Sequence, residues 1–245
     1  MIEVFSLTKR YGGHRGFIAI EDITLTVRDG SVFGLVGYNG AGKTTLLKTI
    51  AGIYRPTSGE VRLDGRVGPP RTGELFIVAD EPYFISQATP HTMARFYRGY
   101  YPAWSDDVYL KLLAAFGLDE RARIEGFSKG MARQCGIALG LASGAKVLLL
   151  DESFDGLDLF KRRLLKRILR AYARTCNAAV MITSHNLLEI EDIADDLGMI
   201  DGNHLVFSGT TEDIRQSYPG ASLEEIFLAQ GNGDAAILDV EALFA

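Results

Sequence analysis

A lysine and two threonines closing a glycine-rich run are the residues of this 245-residue chain best suited to chemistry. The run Gly37-Tyr38-Asn39-Gly40-Ala41-Gly42-Lys43-Thr44-Thr45 fits the spacing G-x-x-x-x-G-K-[ST]. Glycines let the backbone curl until several N–H groups face one centre, which makes a nest for the phosphates of a nucleotide. Lys43 is expected to reach the outer phosphates as a point charge, and the Thr44 hydroxyl to ligate Mg²⁺. A second pair, Asp151-Glu152, follows four apolar residues, Val147 to Leu150. Such a strand delivers carboxylates to its end, where open α/β sheets bind ligands. Asp151 suits Mg²⁺, and Glu152 suits orienting and deprotonating a water that attacks a terminal phosphate. An acidic turn after a strand is common, so this pair gains its meaning from the phosphate loop.

These groups need elements to hold them. Strand-like runs occur at Val4 to Leu7, Ile18 to Val27, Val32 to Val36, Glu60 to Leu63, Leu75 to Ala79, Val147 to Leu150, Ala178 to Thr183 and Leu197 to Ile200. Val147 to Leu150 is apolar throughout, as in a strand covered on both faces of a mostly parallel sheet. A helix from Thr45 ends at Gly52, and its N-terminus adds a dipole to the anion site. Between Pro90 and Ser143 the pattern is helical, over roughly Thr92 to Tyr101, Ser105 to Phe116 and Lys129 to Ser143. In the last of these, Met131, Cys135, Ala138 and Ala142 share a face, which assigns Cys135 to the core. The expectation is an α/β core with a parallel sheet and a helical insertion. Residues 64–74 read only as a loop, and Gly231 to Ala245, after a Gly-Asn-Gly break, as a loosely held tail.

Composition bounds the class. The apolar fraction of 47% and charged fraction of 23% are those of a soluble globular protein. No apolar run reaches bilayer-spanning length. The start Met1-Ile2-Glu3-Val4-Phe5 lacks the basic-then-apolar pattern of a signal peptide. Cys135 and Cys176 lack metal-ligand spacing and fit buried thiols in a reducing cytosol. A net charge of −5 without a long basic run disfavours a nucleic-acid groove, so no nucleic-acid partner is expected.

Phe127-Ser128-Lys129-Gly130-Met131 lies between the two phosphate-directed elements. A serine cap, a small glycine and a helix start make another anion site. Here the chain resembles the ATP-binding cassette family, the nucleotide-binding domains of ABC transporters, whose signature L-S-G-G-Q opens a helix shortly before an Asp-Glu strand. The resemblance runs from Met1 to about Gln230 and implies a P-loop NTPase fold: a mostly parallel sheet, an antiparallel β subdomain and a helical subdomain over about 88–143. It implies that Tyr11, in Leu7-Thr8-Lys9-Arg10-Tyr11, stacks on adenine. It also implies that His185, in Thr183-Ser184-His185, contacts the terminal phosphate and that Asp158, in Asp155-Gly156-Leu157-Asp158, couples two halves of a dimer. Ser128 and Gly130 would face the nucleotide of a second cassette. Asp80 stands where the family usually has Gln, a Mg²⁺ and water contact; a carboxylate there has shorter reach and adds negative charge. Ser153 stands where Pro is common.

The implied cofactors are ATP and Mg²⁺, with Tyr11, Gly37, Asn39, Gly40, Ala41, Gly42, Lys43, Thr44, Thr45, Ser128 and Gly130 at the nucleotide. Thr44, Asp151 and Asp80 are placed at the metal, and Glu152, His185 and Lys43 in catalysis. The implied partners are a second ATPase subunit and a separate transmembrane permease, which would hold the chain at the cytoplasmic face of the membrane. Aromatics from Tyr83 to Trp104 are expected mostly in the helical core, with some lining the permease groove. S-K-G-M and the segment Ser222 to Leu228 resemble exporters of peptides, drugs or antibiotics. An importer ATPase, a soluble cassette ATPase of translation or DNA maintenance, and a nucleotide-binding regulator remain alternatives.

Overall fold

The computed structural model describes residues 1–13, 16–218 and 220–230. Its strands are β1 (Ile2–Arg10), β2 (Ile18–Val27), β3 (Val32–Val36), β4 (Ser58–Leu63), β5 (Arg66–Val67), β6 (Leu75–Val78), β7 (Val147–Leu150), β8 (Ala179–Ser184), β9 (Asp196–Asp201) and β10 (His204–Thr210). The helices are α1 (Lys43–Ile50), α2 (Pro90–Arg98), α3 (Asp106–Phe116), α4 (Lys129–Ala142), α5 (Leu159–Thr175), α6 (Leu187–Ile190), α7 (Thr211–Ser217) and α8 (Leu223–Gln230). Every expected strand is present. β5 falls inside the segment read as a loop, and β10 was not anticipated. The expected tail, Gly231 to Ala245, lies outside the described residues.

Two sheets result. The order β2-β1-β4-β5 is antiparallel, and β10-β9-β3-β8-β7-β6 is parallel except for β10. Parallel central strands are covered on both faces, so alternate residues of one strand enter different cores. In β7, Leu148 and Leu150 join the core shared with α3 and α4, while Val147 and Leu149 join the core beneath α1 and the antiparallel sheet. This is why the run has no polar alternation.

Sheet order also aligns the chemistry. Strands β6, β7, β8 and β3 are neighbours and run the same way, so their C-terminal ends form one edge. Asp80, Asp151 with Glu152, His185 and Gly37 follow those four ends. Gly37 and His185, 148 positions apart in sequence, therefore become neighbours through strand register alone.

Between β6 and β7 lie α2, α3 and α4. Thr89 and Thr92 make a capping box for α2, and Ser105 caps α3. α4 is buried on almost every side from Arg133 onward, with Cys135 and Ala138 fully enclosed and Arg133 and Gln134 buried beside its apolar residues. Burial pushes the Cys135 thiol up to about 12. Cys176 corrects the expectation of two buried thiols: it caps the C-terminus of α5 and is exposed. Among the described residues no helix is long and apolar enough to cross a membrane.

Candidate active site

The phosphate loop leaves β3 at Gly37 and enters α1 at Lys43. Gly42 caps the helix at φ 105°, a left-handed conformation that L side chains rarely adopt. A Cβ there would stand 2.3 Å from the Ala19 carbonyl oxygen, so glycine is also what lets β2 close on the loop. Lys43 is buried, and its Nζ donates to the Gly37 and Tyr38 carbonyls at 2.7 and 3.1 Å. Tyr11, Asn39, Gly40, Gly42, Lys43, Thr44, Thr45, Asp80 and Glu152 line one cavity of about 360 Å³, with Phe17 and Ala19. Gly37 and Ala41 are buried behind the loop.

Glu152 sits at φ 46°, left-handed although it is not glycine. Such a conformation costs on the order of 1–3 kcal/mol and persists where surroundings enforce it. Here they do. The Glu152 N–H donates to Thr183 Oγ1 at 3.1 Å, and its carboxylate lies 3.1 Å from Lys43 Nζ and 2.9 Å from His185 Nδ1. The His185 backbone N–H donates to the same carboxylate. Asp151 is 2% exposed and accepts from Thr183 Oγ1 at 2.7 Å, with the Thr44 hydroxyl also in hydrogen-bond reach. Burial raises its pKa above the ordinary carboxylate range, with Glu152 and Asp80 adding to the rise. A buried, raised carboxyl beside a hydroxyl is short of positive charge, and a divalent cation would supply it. The residues fit Mg²⁺, and the cradle with its buried lysine fits polyphosphate.

Thr183, which links Asp151 to Glu152, was not singled out from sequence; one strand-end threonine carries no distinguishing pattern. Phe17 was also missed. It is 65% exposed at the cavity mouth, and its carbonyl accepts from the Tyr11 N–H at 2.9 Å. An aromatic residue directly before the strand-like run from Ile18 was the available signal. The Tyr11 ring meets Tyr54 edge-on at 5.9 Å, with Lys9 Nζ 5.0 Å from its centre.

Three predicted residues stand apart from this cavity. Ser128 caps α4 by accepting from the Met131 N–H, and Gly130 packs so closely on Gly156 that a Cβ would meet its carbonyl oxygen at 2.5 Å. Asp158 caps α5 by accepting from the Lys161 N–H. Asp80 lines the cavity, but its carboxylate is held in an ion pair by Arg133 of α4.

A second cavity, of about 410 Å³, opens between the end of α1, the approach to β6, and α2. Phe96, Tyr97, Tyr100 and Tyr101 line it. Of the aromatics expected in the helical core, Phe84, Tyr97, Tyr101 and Trp104 pack against it, whereas Phe96 and Tyr100 are exposed and Tyr83 is 88% exposed.

A family model described as ABC transporter matches residues 20–155, more than half of the chain. The chain is 33% identical over 235 residues to the methionine import ATP-binding protein MetN of Burkholderia thailandensis, covering 87% of this chain and 66% of that protein. It is 29% identical to the lantibiotic transport ATP-binding protein SrtF of Streptococcus pyogenes, covering 93% of this chain and 96% of that one. The solved structure of an ATP-binding subunit of an ABC transporter superposes with a TM-score of 0.82 at 26% identity, covering 94% of this chain and 99% of that one. Phosphate loop, Asp-Glu strand end and histidine thus converge in a chain whose sequence and fold both match one family: the protein belongs to the ABC transporter family and is an ATP-binding, ATP-hydrolysing subunit of that family.

Proposed function

We propose that residues 1–230 form one cassette, with a helical subdomain over about 88–143, and that two cassettes close on ATP to drive a separate membrane permease outward. The observation that carries the catalytic part is the Glu152 carboxylate held between Lys43 and His185 at the mouth of the loop-lined cavity. In this reading Lys43 exchanges the Gly37 and Tyr38 carbonyls for phosphate oxygens, which carry more negative charge. That exchange frees a Glu152 oxygen. Glu152 then accepts a proton from the attacking water, while His185, oriented through Nδ1, steadies the terminal phosphate. Thr44 and Asp151 would hold Mg²⁺, with Asp80 beside them, and a bound ion would supply positive charge near the phosphates. Gly37, Asn39, Gly40, Ala41, Gly42 and Thr45 complete the cradle, and Tyr11 offers a face to adenine.

Ser128 and Gly130 do not line this cavity, which supports a role at the nucleotide of a second subunit, with Asp158 coupling the pair. Closure is favoured because ATP then touches both chains, giving the ligand a differential affinity for the closed state. The aromatic cavity of about 410 Å³ suits a permease helix, since aromatic anchors concentrate at interface centres. Docking there would hold the subunit at the cytoplasmic membrane face. Export of peptide, drug or antibiotic-like cargo is supported by S-K-G-M, the helix after Ser222 and the lantibiotic relative. The methionine import relative favours the second reading, an importer ATPase.

The test is Glu152→Gln. Losing the base should cut turnover by roughly 10²–10⁴-fold with ATP binding kept, and an ATP-bound dimer should accumulate in size-exclusion chromatography with Mg²⁺. Wild-type turnover in this variant would remove Glu152 as the base.

A further inference from the structure

Arg133 is a buried cation that the catalytic scheme leaves without a task. It projects from α4 one turn beyond Gly130, with 7% of its side chain exposed. One guanidinium nitrogen donates to the Asp80 carboxylate and, at 2.7 Å, to the Asp80 carbonyl. The other terminal nitrogen donates to the Asp155 carbonyl, and Nε is buried without a partner. Among the described residues, its one ion pair is with Asp80.

Both segments in this grip belong to the site. Asp80 lines the cavity with Lys43 and Glu152, and Asp155 follows Glu152 by three residues. A planar guanidinium holds several acceptors in fixed relation, which a flexible ammonium does not. Charge gives the second reason. A lone carboxylate at Asp80 would face incoming phosphates in the cavity that it lines with Lys43, Thr44 and Glu152. Paired with Arg133 its net charge is cancelled. Conversely, a buried guanidinium that loses its carboxylate is left uncompensated, which is more costly than never having had the pair.

We infer that Arg133 is a positioning residue for the ATPase site: it neutralises Asp80, fixes it at the cavity wall, and ties it to the backbone after Glu152. The pair thereby fills, as one neutral unit, the place where the resembling family has an amide. This rests on the ATPase reading above, and it makes the two residues interdependent.

The experiment measures affinity for a fluorescent ATP analogue with Mg²⁺ and with excess EDTA, in wild type, Asp80→Gln, Arg133→Gln and the double variant. Tighter wild-type binding with Mg²⁺ is the outcome the ATPase reading requires. In Arg133→Gln the bare Asp80 charge should repel metal-free nucleotide and attract Mg²⁺, raising the ratio of the two affinities about five-fold, the scale of one partly hydrated charge a few ångströms away. The double variant should return the ratio toward wild type. It should also turn over ATP faster than independent single losses allow, with KM unchanged. Arg133→Lys should keep the ratio and lose turnover, because charge remains and the fork does not. A merely structural role would lower stability and leave the ratio alone. An unchanged ratio in Arg133→Gln, or a double variant no more active than the weaker single, overturns the assignment. Should Arg133→Gln be insoluble, Asp80→Asn asks the same question from the other side, with a falling ratio expected and an unchanged one overturning it. If wild type itself binds no ATP, the ATPase reading fails instead.

Discussion

Asp151 shows how the site trades stability for chemistry at the residue scale. Its carboxyl is enclosed, and burial raises its pKa. A carboxyl raised in the folded state contributes its stability below the ordinary carboxylate range and loses it as pH climbs through the raised value. Once pH has passed the raised value, the buried charge therefore weighs against the metal-free fold. Asp151→Asn removes that charge while keeping shape and a hydrogen-bonding oxygen for Thr183. Its melting temperature without Mg²⁺ should rise by roughly 2–4 °C at pH 7.5, about the effect of 1 kcal/mol in a chain of this size. The gain should shrink toward pH 4, and Mg²⁺-dependent turnover should vanish. Scanning calorimetry at the two pH values checks this; an Asp151→Asn protein less stable than wild type at pH 7.5 would contradict it. Glu152 makes the complementary point, since its left-handed backbone is tolerated only because Thr183, Lys43 and His185 hold it from three sides.

At the scale of elements, the start of α4 is braced against the segment after Glu152. Gly130 and Gly156 meet so closely that an added Cβ would stand 2.5 Å from a backbone oxygen. Gly130→Ala sets two effects in opposition. Alanine inside a helix gains about 0.5–1 kcal/mol over glycine, whereas forcing a methyl into a packed contact costs about 1–3 kcal/mol. Packing wins, so the melting temperature should fall by several degrees, and turnover should fall more than ATP affinity because the displaced loop adjoins Glu152, the proposed base. Equal losses in both would place the contact outside catalysis. α5 illustrates a different lesson: Leu165, Leu169 and Tyr172 recur at helical spacing and bury its inner face, while its outer face carries basic residues beyond the exposed Leu159 and Phe160 of its first turn.

For the whole molecule, the separation of Ser128 and Gly130 from the loop-lined cavity is what the proposed two-cassette assembly would explain. Ser128→Arg should add bulk and charge at a partner's nucleotide and leave the affinity of its own subunit for ATP similar. Lys43→Ala should weaken its own site. Mixing the two variants makes heterodimers with one doubly damaged site and one undamaged site. Such mixtures should recover part of the hydrolysis that neither parent shows, given that one intact site turns over, and steady-state phosphate release measures it. A Ser128→Arg homodimer as active as wild type would remove the signature helix from the mechanism.

The sequence alone determined the pieces whose chemistry is local. A lysine and threonine after spaced glycines specify a phosphate nest because the backbone curl and the helix start are properties of that segment itself. Val147 to Leu150 announced a strand buried on both faces, and Ser128 announced the start of α4. It did not determine β5 or β10: β5 is two residues long, and the half-buried β10 takes its place by pairing with β9. Nor could it show that Thr183 joins Asp151 to Glu152, that Phe17 stands beside the Tyr11 loop, or that Arg133 neutralises Asp80. Those relations arise from sheet order and helix docking, which bring residues 53 or 32 positions apart within hydrogen-bond distance. Side-chain chemistry is written residue by residue, whereas the partner that sets each group's charge state and position is chosen only when the chain has packed.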